Sequence, residues 1–319
     1  MARADIQRQA KKIRDGVLGM LHLKNMPSEQ DVALATVYFL ADNAVSGETF
    51  QPSGGLHQER TITERELFGR AKPERVAQMR GRTLWLVGEY MTAHLARAAR
   101  LALEQSQVGR IMLLTKSEEA IQEVKELLRI VLGNERIHGI AVGGDLESGM
   151  DEALRMGGSP AAVVSTPFDP IPKELITPDG TVALHADGFR HLAEGHLTHH
   201  FRIARKVSLL DDVRLVLVSP DVPVHSTHAE FALANFVKTT LHALTATLGV
   251  ENERLMHNVP VNQINLTRRV RSEEPRDARE QAEEQERFAR AVLLAAAPLP
   301  EREASRYRSR IYRGLAITV

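Results

Sequence analysis

A doubly wound α/β domain is the fold the sequence predicts, and three observations predict it. From Gly81 onward, short apolar runs alternate with longer amphipathic ones. The short runs are continuous rather than alternating, which marks strands buried on both faces of a parallel sheet. The chain has 319 residues, 43% of them hydrophobic and 26% charged, enough to bury a large core.

The elements follow in order. Thr83 to Gly88 reads as the first strand, and Met91 to Gln107 as a helix with Leu95, Ala98, Ala99 and Ala102 on one face. Arg110 to Thr115 is a second strand. Ser117 caps the next helix, with Glu119 and Glu123 near its positive end, and Gly133-Asn134 stops it after Leu132. Ile137 to Val142 is a third strand and Ala161 to Ser165 a fourth. A long helix spans 187–209, Val213 to Ser219 is a fifth strand, and a second long helix spans 227–249. Leu255 to Val261 reads as a sixth strand. Glu280 to Ala297 is a helix ended by Pro298 and Pro300, and Arg310 to Val319 a last strand. Together these make a Rossmann-like sheet.

The N-terminus repeats the end of this pattern. Pro27-Ser-Glu-Gln-Asp31 opens a helix through Ala41, and Gly47 to Gln51 follows as a strand. Glu29-Gln30-Asp31 matches Glu284-Gln285-Glu286 about 255 residues further on, roughly one such domain. Either these are two unrelated amphipathic helices, or the chain enters a tandem repeat near the end of its first copy.

Composition excludes several function classes. Lys+Arg and Asp+Glu are both 41, so no charge excess serves nucleic acid or anionic lipid. No apolar run reaches the roughly 20 residues of a membrane span, and the first 15 residues lack a secretory apolar core. With no cysteine there is no disulfide, zinc-thiolate site, iron–sulfur cluster or cysteine nucleophile, which fits a cytoplasmic protein.

Pro27 to Leu40, Val45-Ser-Gly-Glu-Thr-Phe50 and Ser53-Gly-Gly55 resemble the closing helix and strand of the short-chain dehydrogenases/reductases. Residues 81–319 resemble a complete domain of that family, with Leu241 to Gly249 similar to the end of its central helix. The tandem arrangement and the ending Ile311 to Val319 are similar to the bacterial malonyl-CoA reductases, large NADPH-dependent enzymes built from paired domains, one catalytic and one degenerate. The resemblance implies a tail of a preceding domain over 1–60, a linker over 61–80 and a degenerate domain over 81–319. It implies a fragment of an enzyme that takes malonyl-CoA to malonate semialdehyde or 3-hydroxypropionate. A free-standing, non-enzymatic Rossmann-like scaffold or binding module is the alternative.

The resemblance also says where an active site belongs. The family's glycine turn falls on Val87-Gly88-Glu89-Tyr90-Met91-Thr92-Ala93-His94, where Gly88 alone survives. Glu89 brings a negative charge, and Thr92 and His94 are expected to crowd a pyrophosphate. Counting back from Gly249 places the family's tyrosine position at Glu230 and its lysine position at Ala234, so neither group is present. Ser219 stands at the residual serine position, and Ser165-Thr166-Pro167 replaces the family's Asn-Asn-Ala-Gly. Lys116 could favour a 2′-phosphate but reads more simply as a surface lysine. The expectation is a chain with no catalytic residue that binds no cofactor itself, NADPH serving the whole enzyme.

His196, His199 and His200 share a helix face at a spacing that can hold zinc. No His-Glu-x-x-His pattern accompanies them, so solvated or packed histidines are expected and no metal. Partners are expected to be the catalytic domain of the same enzyme and a second copy, with no nucleic acid and no membrane. The family dimerises through the helices at 187–209 and 227–249. Phe201, Ile203 and Val207 on the first, and Phe231, Leu233, Phe236, Val237, Leu241 and Leu244 on the second, are the apolar candidates.

Overall fold

The computed structural model describes residues 59–61, 79–128, 134–177, 179, 181–183, 185–220, 228–254, 259–266, 278–296 and 315–318. The chain divides into two compact units, 1–61 and 62–319. In the first, Glu59–Thr61 is a short strand. The helix and strand expected over 27–51, and with them the tandem repeat, lie outside the described residues.

Seven described strands of the second unit pair in parallel. They are β1 (Thr83–Val87), β2 (Arg110–Thr115), β3 (Ile137–Ala141), β4 (Pro160–Ser165), β5 (Arg214–Val218), β6 (Val261–Asn265) and β7 (Leu315–Thr318). Their order across the sheet is β3-β2-β1-β4-β5-β6-β7. Chain direction across the sheet reverses between β1 and β4, and in open α/β sheets the crevice at that switch point, beyond the strands' carboxyl ends, binds ligands.

Alternate strand residues feed two cores. Leu84, Leu86, Ile111 and Leu113 meet α1 (Thr92–Glu104), α2 (Glu118–Leu128) and α7 (Ala278–Ala296), with Phe288 and Val292 fully buried. Trp85, Val87, Met112 and Leu114 face the other way. There lie α3 (Leu146–Gly157), α4 (Ala186–Ala193), α5 (His199–Val207) and α6 (His228–Arg254).

Three elements depart from the sequence expectation. The helix expected over 187–209 is α4 and α5 joined by a π turn at Glu194–Thr198. The sixth strand is not Leu255 to Val261 but Val261–Asn265, beginning after Pro260. Its Asn262, Gln263 and Asn265 are buried, so apolar periodicity could not find it. Gln263 Nε2 donates to the Lys238 carbonyl at 3.0 Å and to Asn265 Oδ1 at 2.7 Å, bonds that offset part of the cost of burying amides. Helix α3, absent from the sequence reading, starts at Asp145, whose carboxylate accepts from the Ser148 N–H.

Candidate active site at the switch point

The first turn of the crevice follows β1. Gly88 has φ of +134°, and a Cβ there would stand 2.0 Å from Thr166 Oγ1 and 2.6 Å from the Thr166 carbonyl oxygen. Only glycine fits. The Thr166 N–H donates to the Val87 carbonyl at 2.8 Å, and the N–H groups of Glu89 and Tyr90 donate to the Pro167 carbonyl. The turn after β1 and the segment leaving β4 are thus one hydrogen-bonded unit.

The expected crowding does not occur. The Thr92 hydroxyl donates to Glu123 on α2 at 2.8 Å. The His94 ring stands edge-on to Phe288 of α7, centroids 5.3 Å apart, with Nε2 3.4 Å from Glu284. Glu89 turns aside as well, accepting from the Ser117 N–H at 3.0 Å and the Ser117 hydroxyl at 3.1 Å. Helix α1 begins at Met91 without a side-chain cap or an acidic residue in its first turn. An uncapped positive helix end behind a tight glycine turn suits an anionic group such as a pyrophosphate.

Toward the other end of the crevice lie the end of β5 and helix α6. Ser219 is buried directly after β5, and its N–H donates to the Ile264 carbonyl at 3.0 Å. On α6, Ala234 is buried in the core and Glu230 is half-buried. A dinucleotide therefore finds a fit at the phosphate end, whereas no tyrosine–lysine pair stands where hydride chemistry would need it.

Beside the turn, at the ends of β2, β3 and β4, a cleft of about 700 Å³ is lined by Lys116, Gly143, Phe168, Asp169, His199 and Arg202. Lys116 is the surface lysine expected, and it pairs with Asp169 and lies over the Phe168 ring at 5.8 Å.

The three histidines are packed, not solvated. His200 Nδ1 lies 2.7 Å from the Ser165 hydroxyl, His199 Nε2 is 3.0 Å from the Thr166 carbonyl, and His196 Nε2 is 3.1 Å from the Pro170 carbonyl. A carbonyl only accepts, so His196 and His199 carry their proton on Nε2. Burial holds all three rings below the ordinary histidine range, His199 at about 3 and His200 well below 6.5. Sequence reasoning found these residues as a cluster. It could not find what they hold, because their partners, two backbone carbonyls and the Ser165 hydroxyl, lie some 30 residues away.

The apolar stripe on the long helices divides. Ile203, Val207, Leu233, Val237, Leu241 and Leu244 are consumed by the domain's own core, while Phe201 and Phe236 are exposed. The Phe231 side chain lies outside the described residues. No helix among the described residues is long and apolar enough to cross a membrane.

No family model and no curated protein matches the chain. Solved structures do. A C-domain of bacterial malonyl-CoA reductase, crystallised with NADP, is 53% identical over 98% of this chain, with a TM-score of 0.71. This chain spans 47% of that one. A short-chain dehydrogenase/reductase of Serratia marcescens is 14% identical, covering 76% of this chain and 97% of its own, with a TM-score of 0.53. One from Pseudomonas syringae is 17% identical over 76% and 96%, TM-score 0.53. At such identity these two speak for the fold alone.

The NADP in the C-domain crystal overturns the expectation of a cofactor-free chain. Its physical basis was the supposed crowding at Thr92 and His94, and both side chains are engaged by other helices. The chain has the fold of the short-chain dehydrogenase/reductases, and by its 53% identity over 98% of its length it belongs to the family of the C-domain of bacterial malonyl-CoA reductase.

Proposed function

We propose that the chain forms part of an NADP-dependent reductase of the malonyl-CoA reductase type and that this part supports catalysis rather than performing it. The carrying observation is the asymmetry of the crevice. Gly88 and the uncapped start of α1 would receive the phosphates of the dinucleotide. Bound NADPH supplies the hydride. Reduction also requires a proton delivered to the carbonyl oxygen by a positioned acid. Helix α6 offers Glu230 and Ala234 where the family has tyrosine and lysine, so the phenol and the ammonium that the family uses are both missing there.

The proton donor then comes from the portion of the C-domain this chain does not span, and the substrate is the CoA thioester or its semialdehyde. The two portions would meet on the exposed aromatic face of α4 and α6. There Phe189 stands edge-on to Phe236 at 5.5 Å and both are 42% exposed. A second copy of this chain would use the same face when the natural partner is absent.

The test is NADPH oxidation with malonyl-CoA and with malonate semialdehyde, using this chain alone and mixed with the remainder of the C-domain. The mixture turns over and the chain alone does not. Turnover by the chain alone, abolished by Glu230→Ala, overturns the proposal.

A further inference from the structure

The buried histidines have no part in the proposed reaction, yet each holds a different point of one short segment. His200 meets Ser165, His199 meets Thr166 and His196 meets Pro170. That segment in turn forms the wall of the turn after β1, through Thr166 N to Val87 O and through Pro167 O to the N–H groups of Glu89 and Tyr90. The chain of bonds from helix to turn is continuous. It carries on the helix side only neutral rings, and it passes through a π turn, where Gly195 lets Asp169 approach to within contact of its Cα hydrogens.

We infer that His196, His199 and His200 are positioning residues, a latch that holds the 165–170 segment and through it the dinucleotide turn, and that the latch works only while the rings are neutral.

The environment explains why protonation releases it. Nδ1 of His196 and Nε2 of His200 are buried without a hydrogen-bond partner. A second proton on His199 would find only the Glu194 carbonyl near it, and Lys116 and the neighbouring rings would oppose its charge. Asp169 is the one carboxylate that favours a charged His196, and Lys116 counters it. His200 has only His196 and His199 acting on it. Helix α6, packed on the π turn, carries Glu230, Lys238 and His242 at half-buried positions, and α3, packed on α5, spends Asp151 on Lys206. A charged ring therefore leaves its carbonyl or drives the π turn away from it.

The latch itself rests on the geometry alone; its consequence for the dinucleotide rests on the function proposed above. The test needs neither nucleotide nor activity, so the two can fail separately. Amide-exchange protection, corrected for intrinsic rates, is measured on the whole chain at about pH 7.5 and about pH 5.5. Glu89, Tyr90 and Thr166 exchange through an opening that costs less than the one exposing Leu86 and Leu113, and at the lower pH their protection falls about tenfold or more. His199→Gln retains an amide N–H for Thr166 but cannot titrate, so its pH response shrinks severalfold. His199→Ala loses protection there at both pH values; should it fail to fold, His199→Gln still decides. Protection of Glu89, Tyr90 and Thr166 as high as that of Leu86 and Leu113, an unchanged response in His199→Gln, or no fall at all overturns the inference.

Discussion

The sheet presents similar apolar strands to both sides, yet its two faces are covered differently. On the side of α1, α2 and α7 the core is hydrocarbon, with polar groups confined to its rim. There Arg97 Nε donates to Glu286 at 2.6 Å, Arg290 joins the same carboxylate, and His94 has Glu284 beside it. On the side of α3, α4, α5 and α6 three neutral histidines are fully enclosed. The half-buried His94, Arg97 and Arg290 on the first side each have a carboxylate within reach, and for the three histidines on the second side backbone carbonyls and a hydroxyl serve instead. A carbonyl is an adequate partner for a neutral ring and a poor one for an imidazolium in a dry site. One face is therefore built for stability across pH, and the other couples its packing to proton activity beside the crevice.

The largest effect should come from breaking the first face. Phe288 is fully buried between α1 and the sheet, where it packs on His94. Phe288→Ala removes a ring and leaves a cavity, costing about 4 kcal/mol. Urea unfolding should show that loss with little dependence on pH between 5 and 8. A loss that grows on acidification would erase the contrast between the faces.

Acid should strike the second face. His199 is held at about 3 in the folded chain against 6.5 when unfolded. A lowered histidine pKa means the unfolded chain binds the extra proton first. The stabilising contribution is thus complete above 6.5 and is lost as pH falls toward the folded value. Between pH 6.5 and 5 this one ring accounts for about 2 kcal/mol, and His200, shifted in the same direction, adds to it. The midpoint in urea should fall steeply over that interval in the native chain and less in His199→Gln. Equal slopes would mean that the rings do not govern acid stability.

The faces also differ in how far the sequence announces them. Strands such as Leu84-Trp-Leu-Val87 and Ile111 to Leu114 are legible because they are apolar throughout. Strand β6 is not, since three of its five residues are amides, of which Gln263 finds the Lys238 carbonyl and Asn265 as partners. Helix α3 buries Leu146, Gly149, Met150 and Ala153, and two of those four residues give almost no apolar signal. At the candidate site the places of Gly88 and Ser219 are readable from strand endings, and so is the fact that α6 holds no tyrosine followed by a lysine one turn later. What could not be read is the direction of side chains. Thr92 and His94 look obstructive until Glu123, Glu284 and Phe288 are seen to engage them. These are tertiary contacts, and the last two are nearly 200 residues from His94.

The smallest expected change in stability is the most informative about partners. Along α6 the exposed residues Ala232, Phe236, Thr239, Ala243 and Thr247 recur at helical spacing and carry no charge. The side facing the sheet is apolar too, with Leu233, Val237 and Leu241 buried. A helix uncharged on both sides is suited to being covered. Phe236→Glu places a charge where the ring is 42% exposed, so the fold should change by no more than about 0.5 kcal/mol. Val237→Glu, one residue on, buries a charge without a partner and should unfold the domain. If the aromatic face is an association surface, light scattering shows the native chain assembling as concentration rises, and Phe236→Glu staying monomeric with an unchanged melting curve. If Phe236→Glu unfolds the chain as Val237→Glu does, Phe236 belongs to the core after all, and the second face ends where its own helices end.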